Sequence, residues 1–499
     1  MALTTKSASL TRRAMLLSAA AIPALASIAQ AVAAKRVRAA ENPDPVIENA
    51  VDAYLYFYPL VVFGVSMEVL RNVERPTWQK LSAPLNQFMS VRYGDPANHG
   101  VILPSIDTLY TAAWIDVSEE PLVFGAPAIP DVPRTGGKRF MMYEFMDAWT
   151  NVYFSAGLRT NQVSKTNFII VRPDFRGSLP DILDSVAVHA TSNQSWLLVR
   201  TQVDGFHDLD NVHAIQDLYT LTPLSMYGKD YVAPPGVVNP SIPTSPGPSK
   251  QVNALNGQQF FTKASEWFNK VPFPAADKAA GVEKVLEQAG IKHGQPYDYA
   301  SLTPELKKAL EAAALRVQQE FAKLAADPAG LPGLKIEMRN GWIFPSHKLG
   351  NYGTDYRLRA VTSFFGFGAN LTADAFYSLL VQDSKGRLLD GGKKYTITFP
   401  KGELPPAGAF WSITMYQDHF LVPNDAGKYA VSSWMNPKTG RDGSVTIYLQ
   451  PTNPGPELEM NWLPSSASIP RVTPLLRLYW PLTPVLDGTW SPPPAVEVE

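Results

Sequence analysis

Hydrophobic and polar positions first predict long helices. From Pro45 to Leu70 apolar residues crowd one side of a helical projection, and Pro45 stands near the first turn, where the missing N–H of proline costs no hydrogen bond. Further along, Thr303 is a suitable N-cap, and apolar residues from Leu306 to Leu324 recur at spacings of three and four, which predicts an amphipathic helix. A shorter helix before it is predicted to end at Gly290, because glycine tolerates the left-handed backbone of a helix C-terminus.

Short strand-like segments fill the stretches on either side of this helical region. Alternation or short apolar runs bounded by Pro, Gly and Asp predict strands, and the clearest are Phe140–Phe145, Phe168–Val171, Ser195–Val203, Tyr395–Phe399, Phe410–Tyr416 and Val445–Leu449. Asp442-Gly443, shortly before the last of these, is a typical hairpin signal. Short strands at even spacing are typical of sandwiches and jelly rolls. The pattern therefore predicts a mainly β fold with two β-sandwich or jelly-roll domains, an N-terminal helix and an intervening helical segment.

A run of prolines between Val232 and Lys250 separates the two strand-rich stretches. A segment so rich in proline forms neither a helix nor a central strand, so it is predicted to be an extended linker. The resulting division is a leader at residues 1–33, a first domain at 45–231, the linker at 232–250, a helical segment at 251–335 and a second domain at 336–499.

The first residues have the pattern of a cleavable export signal. Arg12 and Arg13 form a twin-arginine pair, and Ala14–Ala29 follows without a charged residue. That run matches the apolar part of a signal peptide and is short for a membrane span, which needs about 20 residues. Ala31-Val32-Ala33 is a small-residue cleavage site. The sequence thus predicts a twin-arginine signal peptide and a periplasmic or secreted protein, with a membrane anchor as the alternative.

Composition narrows the chemistry of the chain. It has no cysteine, which excludes disulfides, thiolate metal sites, iron–sulfur clusters and a cysteine nucleophile. The net charge is −1, and no basic stripe interleaved with aromatic residues is present, so neither nucleic-acid binding nor, after signal cleavage, membrane binding is expected. The sequence also lacks a nucleophile elbow, a zinc helix motif, a phosphate loop and a dinucleotide fingerprint. The cofactor is therefore left unassigned.

Only two of the histidines, His207 and His213, lie close together in the sequence. The segment between them holds Asp208 and Asp210, so one interpretation is a metal loop of carboxylates and imidazoles. The other interpretation, which the apolar Ile215 favours, is a helix capped by one of the two aspartates. We predict the helix and assign no metal ligands.

Two aspartates are candidates for acid–base chemistry. Asp107 lies in a polar break before an aromatic strand, and Asp147 precedes Trp149-Thr150-Asn151. If both carboxylates face one cavity, they have the arrangement of a paired-carboxylate hydrolase, as in glycosidases, whose carboxyl groups are about 5–10 Å apart. The alternative is that each aspartate forms an Asx turn that holds its strand.

Four arginines stand in otherwise apolar, strand-like segments: Arg159, Arg200, Arg357 and Arg359. An unpaired guanidinium is costly to bury, so each needs a compensating charge. On an alternating strand Arg357 and Arg359 would point to the same face. One interpretation is a structural ion pair with Asp107, Asp147 or Asp355, and the other is binding of a carboxylate-bearing substrate.

Several segments resemble two protein families known only by their sequences and folds. Similar to the DUF1254 domain are Asp107–Tyr110 with Trp114, Gly157–Thr160 and Asp210–Leu224. Similar to the DUF1214 domain are Asp355–Ala360, Gly368–Asn370, Phe410–Tyr416, Asn461–Pro464 and Leu486–Trp490. The resemblance covers most of the mature chain. It implies tandem β-sandwich or jelly-roll domains with a helical segment between them, and it carries over no set of catalytic residues.

These candidates combine into one predicted site. A cavity within or between the β domains is expected to bind, and to hydrolyse, a small organic or carbohydrate-like substrate, with Asp107 and Asp147 as the catalytic acid and base. The expected substrate-binding residues are Tyr110, Asn151, Arg159, Tyr356, Arg357, Arg359, Trp411 and Tyr416. The alternative is a non-catalytic envelope or interaction protein, in which the polar residues form a structural network, the aromatic residues form cores, and the chain assembles into homo-oligomers.

Overall fold

The fold is described from a computed structural model, which covers residues 44–93, 105–326, 337–417 and 420–499. The predicted signal peptide at residues 1–33 lies outside these described residues. The described chain is mainly β, with several largely antiparallel sheets, a long N-terminal helix and a helical segment between two strand-rich regions.

Helix α1 (Pro45–Leu70) begins and ends where the sequence predicts. The Asp44 carboxylate accepts a hydrogen bond from the Val46 N–H at 2.9 Å, which caps the first turn. Burial extends around nearly the whole circumference of α1 instead of one side, because later helices pack against it. Length and composition alone would allow this helix to cross a membrane, but 89% of its most apolar window is buried inside the protein.

The first strand-rich region consists of two sheets. Its strands are β1 (Met89–Ser90), β2 (Thr108–Asp116), β3 (Leu122–Ala126), β4 (Met141–Asp147), β5 (Val152–Gly157), β6 (Thr166–Val171), β7 (Ser185–His189), β8 (Gln194–Gln202) and β9 (Thr220–Pro223). They pair in the orders β1-β2-β8-β4-β5 and β7-β6-β3-β9, and only the described pair β6–β7 is parallel. Phe145 of the first sheet packs with Phe124 and Phe168 of the second in one core, since alternate residues of a strand share a face.

The segment between the two strand-rich regions is helical. Helix α2 (Leu209–Gln216) precedes this segment, between β8 and β9 of the first region. The segment itself contains α3 (Pro248–Asn253), α4 (Gly257–Phe268), α5 (Ala275–Ala279), α6 (Val282–Gln288) and α7 (Pro304–Ala326). The Thr303 hydroxyl accepts a hydrogen bond from the Leu306 N–H at 3.2 Å. Gly290 follows α6 with a φ of +79°. Both predicted helix ends are therefore confirmed.

The second strand-rich region also consists of two sheets. Its elements are β10 (Glu337–Arg339), β11 (Trp342–Phe344), α8 (Tyr356–Phe365), β12 (Ala375–Leu380), β13 (Lys394–Phe399), β14 (Ala407–Gln417), β15 (Phe420–Leu421), β16 (Ala430–Ser432), β17 (Val445–Gln450), β18 (Trp462–Pro464), β19 (Thr473–Pro481), α9 (Thr483–Leu486) and β20 (Val496–Val498). One sheet has the order β10-β11-β12-β19-β14-β15, with β16 on β14, and the other the order β18-β17-β13-β20. Ile397, Trp411 and Ile447 share the core of this region. The described sheets are open, and their assignment as sandwiches or jelly rolls stays a prediction.

Two predictions of local structure are wrong. Arg357 and Arg359 do not alternate along a strand; they lie on helix α8, because Asp355 caps its first turn by accepting a hydrogen bond from the Leu358 N–H at 3.1 Å. The Asp442-Gly443 turn does form, with a φ of +84° at Gly443. The strands that flank it, β16 and β17, pair with strands of different sheets, so the turn does not close a hairpin.

The predicted helix after His207 forms as α2, but its aspartate makes a different contact. Asp208 occupies the N-cap position, yet its carboxylate accepts a hydrogen bond from the Arg139 guanidinium, with 2.9 Å between Oδ1 and Nη2. Both side chains are buried, and a buried guanidinium requires such a charge partner. Within the described residues no cluster of three His, Asp or Glu side chains could hold a metal ion.

Candidate functional site

A cavity of about 920 Å³ lies between the two strand-rich regions. Strands β2 and β8 of the first region supply part of its lining, β12 and β19 of the second region supply another part, and helix α8 with residues 366–370 supplies a third. Both regions are therefore required to form it. The volume falls in the range of pockets that bind small organic molecules, about 300–1,000 Å³.

Most of the described lining is apolar. The rings of Trp114 and Trp196 stack with 5.4 Å between their centroids, and Trp196 stacks on Phe367 with 5.3 Å. Aliphatic side chains from both regions complete these walls, among them Leu70, Leu198, Leu358, Val361, Leu379 and Leu475. Such walls attract apolar groups out of water and offer flat aromatic surface for stacking.

Arg200 places a positive charge on this lining, although it is only 8% exposed. Its Nη1 donates to the hydroxyls of Tyr110 and Tyr377, at 3.3 Å each, and its Nη2 donates to the Gly368 carbonyl at 3.4 Å. Its Nε is buried without a hydrogen-bond partner, and no carboxylate oxygen of the described residues lies within 4.0 Å of the guanidinium. Because a buried guanidinium without a carboxylate is costly, this arrangement points to a role beyond stability.

Gly368 allows the backbone to approach Arg200. Its φ is +85°, and a Cβ at this position would lie 2.4 Å from Cζ3 of Trp196. A residue with a side chain would therefore be strained in its backbone and would displace the indole ring. The glycine thus holds its carbonyl against the guanidinium and leaves the aromatic stack in place.

Each region contributes one tyrosine–arginine pair to the lining. Arg200 stands directly opposite Tyr110 across β8 and β2, and Arg477 stands directly opposite Tyr377 across β19 and β12. The guanidinium carbon of Arg477 lies 5.6 Å from the Tyr377 ring centroid, and its Nη2 donates to the Tyr416 hydroxyl at 2.8 Å. Because Tyr377 also accepts a hydrogen bond from Arg200, it links the two pairs.

Asp107, one of the two predicted catalytic residues, does not line the cavity. Its Oδ2 accepts hydrogen bonds from the Ser412 hydroxyl at 2.6 Å and from the Tyr479 hydroxyl at 3.2 Å. Burial raises the pKa of this carboxyl, while Arg477 and the two hydroxyl donors act to lower it. The contacts of Asp107 thus join the first strand-rich region to the second.

Asp147, the other predicted catalytic residue, belongs to a separate network. Its Oδ1 accepts hydrogen bonds from the N–H groups of Trp149 and Asn151 at 2.9 Å each, and its Oδ2 accepts one from the Thr191 hydroxyl at 2.8 Å. Burial raises the pKa of this carboxyl as well. These contacts are the Asx turn of the alternative interpretation. Neither Asp147 nor Asn151 is part of the described lining, so the two aspartates do not meet at the cavity.

Arg359 and Tyr356 form a closed cluster away from the cavity lining. The guanidinium carbon of Arg359 lies 5.2, 5.3 and 5.1 Å from the ring centroids of Tyr56, Trp149 and Tyr356. Asp277 supplies the carboxylate, 4.0 Å from the guanidinium, and accepts hydrogen bonds from the hydroxyls of Tyr56 and Tyr356 at 2.9 and 3.0 Å. The cluster therefore supplies the opposing charge of Arg359, although Nε and Nη2 of this guanidinium have no hydrogen-bond partner among the described residues.

The structure brings together only some of the predicted binding residues. Tyr110 and Arg357 line the cavity, and Tyr416 contacts Arg477. Arg357 also donates from Nη2 to Glu320 at 2.9 Å. The predicted residues that lie outside the described lining are Asn151, Arg159, Tyr356, Arg359, Trp411 and Tyr416. Arg159 is paired with Asp374, and Trp411 packs in the core of the second region.

Glu144 is the most informative residue that the sequence analysis missed. It lies on β4 with 0% exposure, and neither of its carboxyl oxygens has a hydrogen-bond partner within the part of the chain that the structure describes. Burial raises its pKa to about 8, an effect that Arg200 opposes and Asp374 reinforces. Strongly shifted carboxyls occur preferentially at functional sites. A charged residue inside the apolar run Phe140–Phe145 is the signal that could have identified it.

Comparison with known families identifies the two halves of this architecture. Residues 85–223 match DUF1254, a family of proteins of unknown function, and residues 374–483 match DUF1214, a second such family. The chain contains both domains. The DUF1254 domain supplies β2 and β8 of the cavity, and the DUF1214 domain supplies β12 and β19.

A solved structure with a similar fold extends over nearly the whole chain. The crystal structure of the VPA0106 protein from Vibrio parahaemolyticus is 21% identical, with a TM-score of 0.65 over 91% of this chain and 100% of that one. An uncharacterized protein from Burkholderia cenocepacia is 12% identical, with a TM-score of 0.41 over 93% of this chain and 92% of that one. No curated protein matches the sequence. The first similarity shows the fold alone.

Proposed function

We propose that the protein binds a small organic molecule in the cavity between its DUF1254 and DUF1214 domains. The observation that carries this proposal is the cavity itself, about 920 Å³ in volume, mainly apolar in its lining and supplied by both domains. Pockets of this size with a few placed polar groups are the usual sites of small ligands.

An apolar or aromatic body suits this lining better than a sugar does. A carbohydrate brings many hydroxyls, and each buried hydroxyl needs a hydrogen-bond partner. The central polar groups, Arg200, Tyr110 and Tyr377, already contact one another. The stacked rings of Trp114 and Trp196 offer flat apolar surface instead. The proposal therefore narrows the predicted organic or carbohydrate-like substrate to an organic one.

The proposal is for binding rather than for a reaction. Asp107 and Asp147 accept hydrogen bonds from the surrounding scaffold and lie outside the described lining. Asp355, the carboxylate found in that lining, caps helix α8. The paired-carboxylate hydrolysis expected from the sequence therefore stays a prediction.

Titration calorimetry with octanol tests the binding proposal, because this probe has an apolar chain and no charge. We expect saturable binding by the wild-type protein. Leu358→Trp should remove most of it, since Leu358 lines the cavity from α8 and an indole there fills the space. A bound probe should also stabilise the folded protein, by about 2.7 kcal/mol at a hundredfold excess over Kd.

Leu315→Trp is the matched control, because Leu315 is an exposed leucine on helix α7. This variant should bind octanol as the wild type does. No binding by the wild type, or equal binding by the two variants, would contradict the proposal. Either result favours the alternative of an envelope protein whose polar residues form a structural network.

Two finer features belong to the same proposal. The twin-arginine pattern of residues 1–33 supports export, so we propose a location outside the cytoplasm. Cell fractionation tests this location, and recovery of the chain from the cytoplasm alone is the contrary result.

The core shared by Phe124, Phe145 and Phe168 supports an open sandwich for the DUF1254 domain.

A further inference from the structure

The cationic side chains of the cavity lining differ in how they are neutralised. Arg357 pairs with Glu320 at 2.9 Å, and Lys348 pairs with Asp355 at 3.3 Å. Arg200 has no such ion pair among the described residues, although it is more deeply buried than Arg357. A buried positive charge on the wall of a cavity favours a ligand that carries a negative charge.

We propose that Arg200 binds the anionic group of the ligand, a carboxylate on an apolar chain or ring, and that the Glu144 carboxylate competes with it for this guanidinium. The inference rests on the proposed function, because it names the ligand class of the same cavity. The apolar walls would contact the apolar chain or ring of the ligand, and the tyrosine–arginine pairs would bind its carboxylate.

The hydrogen bonds of Arg200 leave one terminal nitrogen of its guanidinium weakly used. Nη1 is occupied by the hydroxyls of Tyr110 and Tyr377. Nη2 has only the 3.4 Å contact with the Gly368 carbonyl, and Nε is buried. Because Nη2 carries two N–H groups, one of them is available for a charge-assisted hydrogen bond to an anion. The hydroxyls of Tyr110 and Tyr377 accept from Arg200 and keep their own O–H groups for donation to the same anion.

Glu144 is a buried carboxyl on the same face of the sheet as this guanidinium. In the pairing of β4 with β8, Glu144 stands opposite Leu198 and Met142 stands opposite Arg200, so Glu144 and Arg200 are diagonal neighbours. The charged and titratable groups that act on it or respond to it are Arg200 on β8, Asp374 before β12, Tyr377 on β12 and Tyr352 before α8. Burial raises the pKa of Glu144 to about 8, so near pH 7 the carboxyl is neutral and does not compensate Arg200. Above about pH 8 it ionises and supplies the negative charge itself.

The carboxylate of a bound ligand and the ionised carboxylate of Glu144 therefore disfavour one another. A bound carboxylate disfavours ionisation of Glu144, so ligand binding near pH 8 should take up a proton. By the same linkage, ionisation of Glu144 should lower the affinity of the protein for the ligand. The affinity for an anion should fall as the pH rises through about 8, whereas the affinity for a neutral molecule of the same shape should not.

Calorimetric titration with octanoate and octanol, at about pH 7 and about pH 9, tests the inference. Octanoate should bind the wild-type protein at least about tenfold more tightly than octanol at the lower pH, because it adds charge-assisted hydrogen bonds. Its Kd should rise about tenfold at the higher pH, the change expected for one competing proton with a midpoint near pH 8. The Kd of octanol should stay constant.

Variants assign these effects to the two residues. Arg200→Met should remove the preference for octanoate and leave octanol binding in place, and Arg200→Lys, which keeps the charge without the second terminal nitrogen, should be intermediate. Glu144→Gln should bind octanoate equally at both pH values. Glu320→Gln is the matched control, since it removes a carboxylate from another cavity arginine and should keep the wild-type pH dependence.

The outcomes separate this inference from the proposal on which it rests. Octanoate that binds no more tightly than octanol, or a pH dependence that persists in Glu144→Gln, overturns the inference while octanol binding still supports the cavity. Failure of the wild-type protein to bind octanol counts against the proposed function, whatever octanoate does. The wild-type titrations alone decide these points if Arg200→Met does not fold.

Discussion

Arg200 and Arg359 are both buried guanidiniums that lie against tyrosine rings, and they differ in what completes their surroundings. Arg359 is enclosed by the rings of Tyr56, Trp149 and Tyr356 and has Asp277 as its carboxylate. Arg200 contacts two tyrosine hydroxyls and a carbonyl, borders an open cavity, and has no described carboxylate within 4.0 Å.

Burial alone therefore does not reveal the role of a buried charge. What distinguishes the two arginines is charge balance and access to a cavity. A guanidinium that has a carboxylate inside a closed cluster serves the fold, because the folded chain itself supplies the opposing charge. A guanidinium that has no carboxylate and borders a cavity is suited to bind an anion that the chain itself does not supply.

The largest expected effect is at the closed cluster. Arg359→Met removes the cation and leaves the buried Asp277 carboxylate without its ion pair, so we expect a loss of about 3–5 kcal/mol in the free energy of unfolding. Urea unfolding near pH 7 measures it.

Arg200→Met is the matched control for that measurement. It removes a buried charge that has no described ion-pair partner, so the free energy of unfolding should stay within about 1 kcal/mol of wild type or rise. Equal losses in the two variants would mean that both arginines are structural, and the comparison between them would fail.

A smaller effect is expected at Glu144, as a change of stability with pH. Burial raises the pKa of this carboxyl in the folded protein from 4.5 to about 8. Between these values the unfolded chain has lost the proton that the folded protein keeps, so stability falls as the pH rises and levels off above about pH 8. Glu144→Gln should remove this slope, which amounts to about 3–4 kcal/mol between about pH 5 and pH 8.

Urea unfolding of both proteins across that pH range measures the slope. Other titrating groups are common to the two chains, so only the difference between the two curves reports on Glu144. Parallel curves would show that its carboxyl titrates normally, and Arg200 would then have an ionised partner near pH 7 after all.

The smallest expected effect is at Gly368. Gly368→Ala combines a strained backbone, at a φ of +85°, with a Cβ 2.4 Å from Trp196, and should cost about 1–2 kcal/mol. Gly228→Ala is the control, because Gly228 has a φ of +77° and no atom within 4 Å of its added Cβ. It should lose about 1 kcal/mol or less. Thermal unfolding compares the two, and an equal loss would remove the steric role assigned to Gly368.

Local signals in the sequence predict much of this fold. Pro45 and Thr303 mark helix starts through contacts within one turn, and the structure places the helices there. Arg357 and Arg359 show where such reasoning fails. Their alternation is typical of a strand, but the carboxylate of Asp355 caps a helix over the same residues, and the cap decides the outcome.

The candidate site could be predicted only in fragments. The need of Arg200 for a partner follows from its apolar surroundings in the sequence. Its position opposite Tyr110, and that of Arg477 opposite Tyr377, depends on strand register between segments far apart in the chain. One residue of slip turns a side chain to the other face of its sheet, so sequence periodicity cannot specify which groups line the cavity. For the same reason Asp107 and Asp147 could not be shown in advance to lie in separate networks.

Helix α1 has a consequence for the way the protein is made. The helices that cover it, α4, α7 and α8, begin about 190–290 residues further along the chain, and ribosomes add roughly 5–20 residues per second. The apolar α1 segment is therefore synthesised on the order of 10–60 seconds before the helices that pack against it. A translocon that accepts unfolded chains would meet this helix soon after the predicted signal peptide and could insert it into the lipid. Folding before the export predicted from the sequence would bury the helix, so under that prediction the order of folding and transport decides whether α1 becomes a core helix or a membrane anchor.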